Sequence, residues 1–460
     1  MEKLKFDNEG CYGTIAKDFT VANLSKLASA ISQWLYKKYK KPSIVLGYDT
    51  RFANEIFVET LVKIFASKGV SVYLSENFTS SAMISFATTK LNVSCGIIIT
   101  GRNENGYKNG LRIFDSNGFL LPEKDLKDIE VLNQETFETD ADLINLNNLI
   151  EQGLINYINL NTLYLKHLND NFDLSKISNN KNIIIIDPLY GSTQDILKRI
   201  FPGGNFLHDN LNPIFDNLIP ECEIKNYYKL AEIIDNSEND LIGIGINAEG
   251  TKLCLYTKET GFIDFEDIIL LLIDILIKNQ KIEEKIVLSS FVSSRIYKLC
   301  NHYKYEIENI KNSNISYSLK IEDENRICLK NKFNFNDAIY IMLLIIDYLN
   351  QSNEKLNDWI QKIYLITDKK NTKTKKIMVE KNKINKLIEK INNKEIDKIG
   401  NLSVNSINIK DCYVFELEND CIVSLRISAI NQIIEFFVET NDEETNNKIL
   451  NDIMNITKTL

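Results

Sequence analysis

An α/β fold is what this sequence predicts, and three observations predict it. Over the first 140 or so residues, stretches with helical apolar spacing alternate with short apolar runs that read as strands. The order helix, charged linker, strand at about residues 19–47 returns at about residues 265–289, with IVLGYDT mirrored by IVLSSFV. Such a repeat is longer than a solenoid period and argues for domain duplication. The last 75 or so residues differ, with two or three β-rich runs before a final helix, the pattern of a small α+β domain.

Taken in order, Thr20 is placed to cap a helix whose apolar positions Leu24, Leu27, Ala28, Ile31 and Leu35 share one face. A strand over 43–46 leads into Gly47-Tyr48-Asp49-Thr50-Arg51 and a helix over about 53–67. Strands at 70–74 and 96–99 flank a further helix, and the polar run 135–151 marks a boundary. A second unit is expected to open with a helix near 155–168. It continues through strand 182–186, Asp187-Pro188-Leu189-Tyr190-Gly191 and another helix, and closes with strands 241–246 and 253–256. A third has helix 265–277, strand 286–289 and helix 293–301. The Lys-rich run after Thr367 reads as a solvated linker, before strands 413–417, 422–427 and 433–438 and helix 443–457.

The bulk numbers exclude several classes. A chain of 460 residues is too long for one core and fits three or four domains. A net charge of −9 argues against nucleic acid or an anionic membrane as the main partner. The eight cysteines are scattered, with no CxxC pair, and read as reduced core residues; Cys95, on a strand, is taken as core rather than nucleophile. Three dispersed histidines (His167, His208, His302) make a histidine metal site or triad improbable. The apolar runs 268–277 and 338–346 are too short to span a bilayer, and the expected location is the cytoplasm.

Residues 98–113 read IITGRNENGYKNGLRI: an apolar strand, a polar loop with Gly101, Gly106 and Gly110, and a second strand. A strand ending in a Gly-rich loop can aim side chains and backbone N–H groups at one point. This loop resembles that of the α-D-phosphohexomutases, which include phosphoglucomutase and phosphomannomutase, written TASHNP…YNGIK. Thr100 matches the threonine and Asn109-Gly110 the later Asn-Gly; Arg112 falls on the lysine, and Arg102 on the serine that carries the phosphoryl group. The resemblance covers essentially the whole chain and implies three duplicated α/β domains plus a C-terminal α+β domain around a central cleft. Domain I would span 1–146 with its phosphoserine loop at 100–112, domain II 147–257 with a metal loop at 247–252. Domain III would span 258–366 with a sugar loop at 322–326, domain IV 367–460 with a phosphate loop at 426–432.

Laid on this family, each loop departs from the pattern. The three aspartates that hold magnesium fall on Asn247, Glu249 and Thr251, and the following arginine on Lys252. One carboxylate is too few for a hard divalent cation, so the magnesium cofactor is expected to be lost. In the sugar loop Glu322 survives, while Glu324, Asn325 and Arg326 replace the serine and both glycines. In the phosphate loop Arg426 and Ser428 remain, and Ala429-Ile430 replace Gly-Thr. The N-terminal arginine of the family becomes Tyr12. Arg102 is expected to neutralise Glu249 or Glu104 within salt-bridge reach, rather than to hold a ligand.

The resemblance therefore implies a phosphohexomutase-like protein of carbohydrate metabolism without mutase activity, a pseudoenzyme with a regulatory or sugar-phosphate-binding role. The substrate-binding candidates are Arg426, Ser428, Glu322, Arg112, Lys252 and Arg51, with no catalytic nucleophile and no metal ligand set. The partners implied are a sugar phosphate or an active relative. Two alternatives stand beside it. One is an active phosphoglucomutase/phosphomannomutase, an intramolecular phosphotransferase interconverting hexose 1-phosphate and 6-phosphate. The other is a structural or assembly partner whose cleft is closed.

Overall fold

Three times along the chain a pair of parallel strands is followed by an antiparallel return, so that a loop is held at the tip of a hairpin. Strand Ser43–Tyr48 runs parallel to Cys95–Ile99, which turns back into Lys108–Phe114. Strand Ile183–Asp187 runs parallel to Leu241–Ile246, which turns back into Leu253–Thr257. Strand Lys285–Leu288 runs parallel to Tyr317–Glu322, which turns back into Arg326–Leu329. The three tips are residues 100–107, 247–252 and 323–325, so the duplication places the three sequence-derived loops at equivalent positions.

The computed structural model describes residues 4–179, 183–279, 282–310, 316–428 and 433–459. The chain falls into two compact units, residues 1–268 with 331–357, and residues 269–330 with 358–460.

The first unit holds a seven-stranded and a five-stranded sheet. Thr20 does cap its first long helix, Val21–Lys38, accepting from the Asn23 N–H at 3.2 Å. The helix expected from residue 155 instead begins with strand Ile155–Ile158, which pairs parallel with Ser71–Ser75 and carries the first sheet past residue 146. Its apolar Ile155 and Ile158 sit three residues apart, a helical spacing, and the strand forms because a neighbouring strand is there to pair with it. The helix proper is Leu160–Asn171. Within this unit Tyr164 donates its hydroxyl to both carboxylate oxygens of Asp337, at 2.7 and 2.6 Å. Asp337 in turn caps helix Ala338–Ser352, accepting from the Tyr340 N–H at 2.9 Å.

The second unit holds a four-stranded sheet and a wholly antiparallel six-stranded sheet. The Lys-rich stretch read as a linker is an edge strand of the latter. Asn371–Met378 pairs with Ile433–Thr440 along its full length. Edge strands tolerate lysine because one side needs no partner strand, and the charges discourage a further strand from adding. Lys373 and Lys376 reach Glu443 and Glu435 at 2.8 and 2.6 Å. Helices Lys381–Asn392 and Glu443–Thr459 cover this sheet through Ile384, Leu387, Ile391, Ile449 and Ile453.

A buried polar knot also ties the second unit. Asp274 accepts from the Trp359 Nε1 at 2.7 Å and the Tyr303 hydroxyl at 2.5 Å, with Lys278 Nζ at 2.6 Å. Trp359 and Asp274 are both fully buried. Trp359→Phe keeps the ring and removes one donor from a buried carboxylate, and should cost about 1–3 kcal/mol in urea unfolding. A variant as stable as wild type would show that this bond contributes nothing.

All eight cysteines are free thiols and seven are buried. Burial pushes the Cys95 thiol well above its ordinary range, as suits a core residue. No helix among the described residues is long and apolar enough to cross a membrane.

Candidate functional site

In the first unit the loop at 100–107 is stapled from beneath by Arg51. Its guanidinium, almost fully buried, donates to the carbonyls of Arg102, Glu104, Asn105 and Lys108 at 2.5–3.0 Å and pairs with Asp49 at 3.1 Å. Burial lowers the Arg51 pKa while Asp49 and Glu104 resist that shift. Gly101 lies against it, and a Cβ there would come 2.4 Å from the guanidinium carbon. Arg51, expected in a ligand-facing floor, is thus turned to shaping the loop.

Arg102 sits at the tip with φ +53°, in the left-handed region, and its N–H is held by the Thr100 hydroxyl at 3.0 Å. Its guanidinium grips Asp7 through two bonds, 2.8 and 3.0 Å, and touches Glu9 at 3.1 Å. It also lies 5.7 Å from the Tyr12 ring. Burial works against its charge, but the Glu9 and Asp7 carboxylates outweigh that and raise its pKa. The expected pairing with Glu249 or Glu104 is corrected here. Glu249 goes to Arg112, and Glu104 goes to Lys108 at 2.8 Å. The reason is register: Gly10 lies opposite Arg112 in the sheet, which brings the acidic turn before it to both arginines.

Arg112 is the hub of this network. It pairs with Glu249, reaches Glu9 at 2.7 Å and the Ser81 hydroxyl at 2.9 Å, and stands 4.8 Å from the Phe335 ring. Glu249 also accepts from Ser81 at 2.6 Å. In the same loop Asn247 shapes the turn, its Oδ1 accepting from the N–H groups of Thr251 and Lys252 at 2.9 Å. Thr251 completes it, bonded to the Asn247 Nδ2 at 3.1 Å. Lys252 leans toward Glu221 at 3.8 Å. This donor set does not fit magnesium: its single carboxylate already faces a guanidinium, and Asn247 is turned to the backbone. Among the described residues no group of three or more His, Cys, Asp or Glu is disposed to hold a metal ion.

In the second unit Glu322 is flanked by Lys320 at 2.7 Å and Arg326 at 3.4 Å. Asp323, next in the tip, pairs with Arg426, which also lies 3.8 Å from Glu435 and 4.7 Å from the Phe291 ring. Ser289 donates toward both Asp323 and Asp411, at 2.6 and 2.8 Å. Asp411 is pulled down to about 2: burial raises it, but donors from Ser290, Asn309 and Ser289 outweigh that. Ser428 ends strand Ile422–Ser428; its side chain, that of Glu324, and residues 429–432 of the expected phosphate loop lie outside the described residues.

The sequence reading missed Asp7, Ser81, Asp323 and Asp411. One signal was available for the first: a buried arginine placed at a nucleophile position requires a nearby carboxylate, and the turn at 7–9 is acidic.

Hairpin tips on three repeated α/β sheets, with an antiparallel α+β region after them, define the class as a multidomain α/β protein, and its first domain is similar to that of the phosphoglucomutase/phosphomannomutase family. Residues 3–139 match the model of phosphoglucomutase/phosphomannomutase, alpha/beta/alpha domain I. The phosphoglucosamine mutase of Caldicellulosiruptor bescii is 24% identical over 415 residues, 85% of this chain and 90% of that protein. That of Buchnera aphidicola subsp. Acyrthosiphon pisum is 28% identical over 294 residues, 63% of each, so the chain matches just under two thirds of that relative's length. Among solved structures, a putative phosphomannomutase from Thermus thermophilus superposes with a TM-score of 0.80 at 17% identity, covering 99% of both chains.

Proposed function

We propose that this chain is an α-D-phosphohexomutase-like protein that does not carry a phosphoryl group, and that it has a regulatory or sugar-phosphate-binding role. The observation that supports this reading is the side chain at 102. Phosphoryl transfer through the protein needs a nucleophilic atom with an available lone pair, and a charged guanidinium offers only donors. Here those donors already face Asp7 and Glu9. Electrostatic clamps and a metal ion supply most of phosphoryl-transfer catalysis, and the donor set at 247–251 favours neither. The reading takes no divalent cation as cofactor, and neither nucleic acid nor membrane as partner.

The test is a coupled assay with glucose 1-phosphate and glucosamine 1-phosphate, primed with the matching bisphosphate and magnesium. Product formation should not exceed the protein-free rate; turnover by wild type would refute the reading. Arg102→Ser should not restore turnover by itself, because Arg112 still holds Glu249 and the positions of Asn247 and Thr251 still lack carboxylates.

A second reading, a working mutase on a hexose or hexosamine 1-phosphate, has a specific observation in its favour: the sequence relatives are named phosphoglucosamine mutase and phosphoglucomutase. Turnover on one of the two substrates would select it and name the sugar.

A further inference from the structure

We infer that Arg102 and Arg112 form a binding site for a phosphate-type dianion, kept closed by the chain's own N-terminal hairpin, with Asp7 and Glu9 in place of the ligand's oxygens. The inference rests on the non-transferring reading, in which a guanidinium at 102 binds rather than reacts. Its basis is the shape of the contacts. Asp7 is held by both terminal nitrogens of Arg102, at 2.8 and 3.0 Å, the fork geometry that arginine uses for carboxylate and phosphate alike. A single oxygen of Glu9, Oε2, accepts from Arg102 at 3.1 Å and from Arg112 at 2.7 Å. One oxygen shared by two guanidinium groups is the arrangement in which an arginine pair clamps a phosphate oxygen. The third carboxylate, Glu249, approaches Arg112 from the loop at 247–252 and belongs to the wall of the site.

The occupant sits on a short element at the sheet edge. Strand Lys5–Asp7 has three residues, lies at the edge of the seven-stranded sheet and pairs only with Gly10–Thr14. Asp7 and Glu9 keep 23% and 13% of their side-chain surface in solvent. Leu4 and Phe6 anchor the strand to the core, so exchange with a competing anion is a movement of the short turn at residues 7–9, whose carboxylates already meet solvent. Neither carboxylate carries more than one negative charge, whereas a phosphate monoester carries close to two, which gives the ligand its advantage when the turn moves.

Thermal unfolding of the full chain in inorganic phosphate against chloride at matched ionic strength tests this. Wild type, E9Q and D7N/E9Q would be compared, each with and without R102A. E9Q and D7N/E9Q should gain a phosphate-specific rise of a few degrees, larger than that of wild type, and R102A should abolish it. If D7N/E9Q does not fold, E9Q decides alone, since its amide oxygen can still bridge the two arginines. No phosphate-specific gain in E9Q, or a gain that survives R102A, would overturn the inference. Turnover in the mutase assay would remove the non-transferring reading while leaving this binding result to stand or fall by itself.

Discussion

Arg112→Met should lower the unfolding free energy by about 3–5 kcal/mol, the usual cost of leaving one member of a buried ion pair without its partner. Glu249 is 3% exposed and Arg112 4%, so neither charge can turn to water. Glu9 retains Arg102 after the change, and Ser81 still donates to Glu249 at 2.6 Å, so the loss falls on one carboxylate. R112M/E249Q should recover more than half of it, because an amide in place of the carboxylate has no charge to strand. Urea unfolding of the three proteins measures this. A loss below about 1 kcal/mol for Arg112→Met would mean that the pair behaves as a screened surface contact.

Asp337→Asn should change how stability responds to pH. Burial raises the Asp337 carboxyl to about 6, against the Tyr164 hydroxyl and the Tyr340 and Ile339 N–H groups, which lower it. Its ordinary value is 3.8. Between those values the folded state holds a proton that the unfolded state has released, so stability falls as pH rises from about 4 to about 6. A difference of about two units corresponds to about 3 kcal/mol, given about 1.4 kcal/mol per unit. Asparagine keeps an acceptor for Tyr164 and for the helix cap but does not ionise. The stability of Asp337→Asn relative to wild type should therefore climb by about 2–3 kcal/mol across that window and stay level above it. A constant difference from pH 4 to pH 7 would show that Asp337 titrates as an ordinary surface carboxyl.

How legible the molecule was depends on which kind of residue is asked about. Elements driven by apolar periodicity were readable: the helix capped at Thr20, strands 95–99 and 241–246, and the duplicated order that sets the three hairpins. The segments that resemble the family most closely prove to hold one another. The Thr50 hydroxyl donates to the Tyr190 carbonyl at 2.9 Å, and Ser293 donates to the buried Glu439 at 2.5 Å. Segments with mixed signals were not readable. Residues 155–158 and 371–378 take their strand form from a neighbouring strand, and local pattern carries no record of that neighbour.

The site was readable one position at a time. That Arg102, Glu249 and Asn247 occupy unusual places followed from the loop sequence. Which charge meets which did not, because the pairing of Arg102 with Asp7 and Glu9 spans more than ninety residues and depends on the register of Gly10 against Arg112. The orientation of Arg51 was not readable for a related reason. A cation beside a loop can face outward or staple the loop from below, and only the positions of four carbonyls decide between them.

On the proposed reading, this chain does not carry a phosphoryl group. The most direct measurement is the intact mass of the full-length protein after incubation with glucose 1,6-bisphosphate and magnesium. An unchanged mass is expected, for wild type and for Arg102→Ser alike. A stable gain of one phosphoryl group on wild type would contradict it and would show that another residue serves as the carrier.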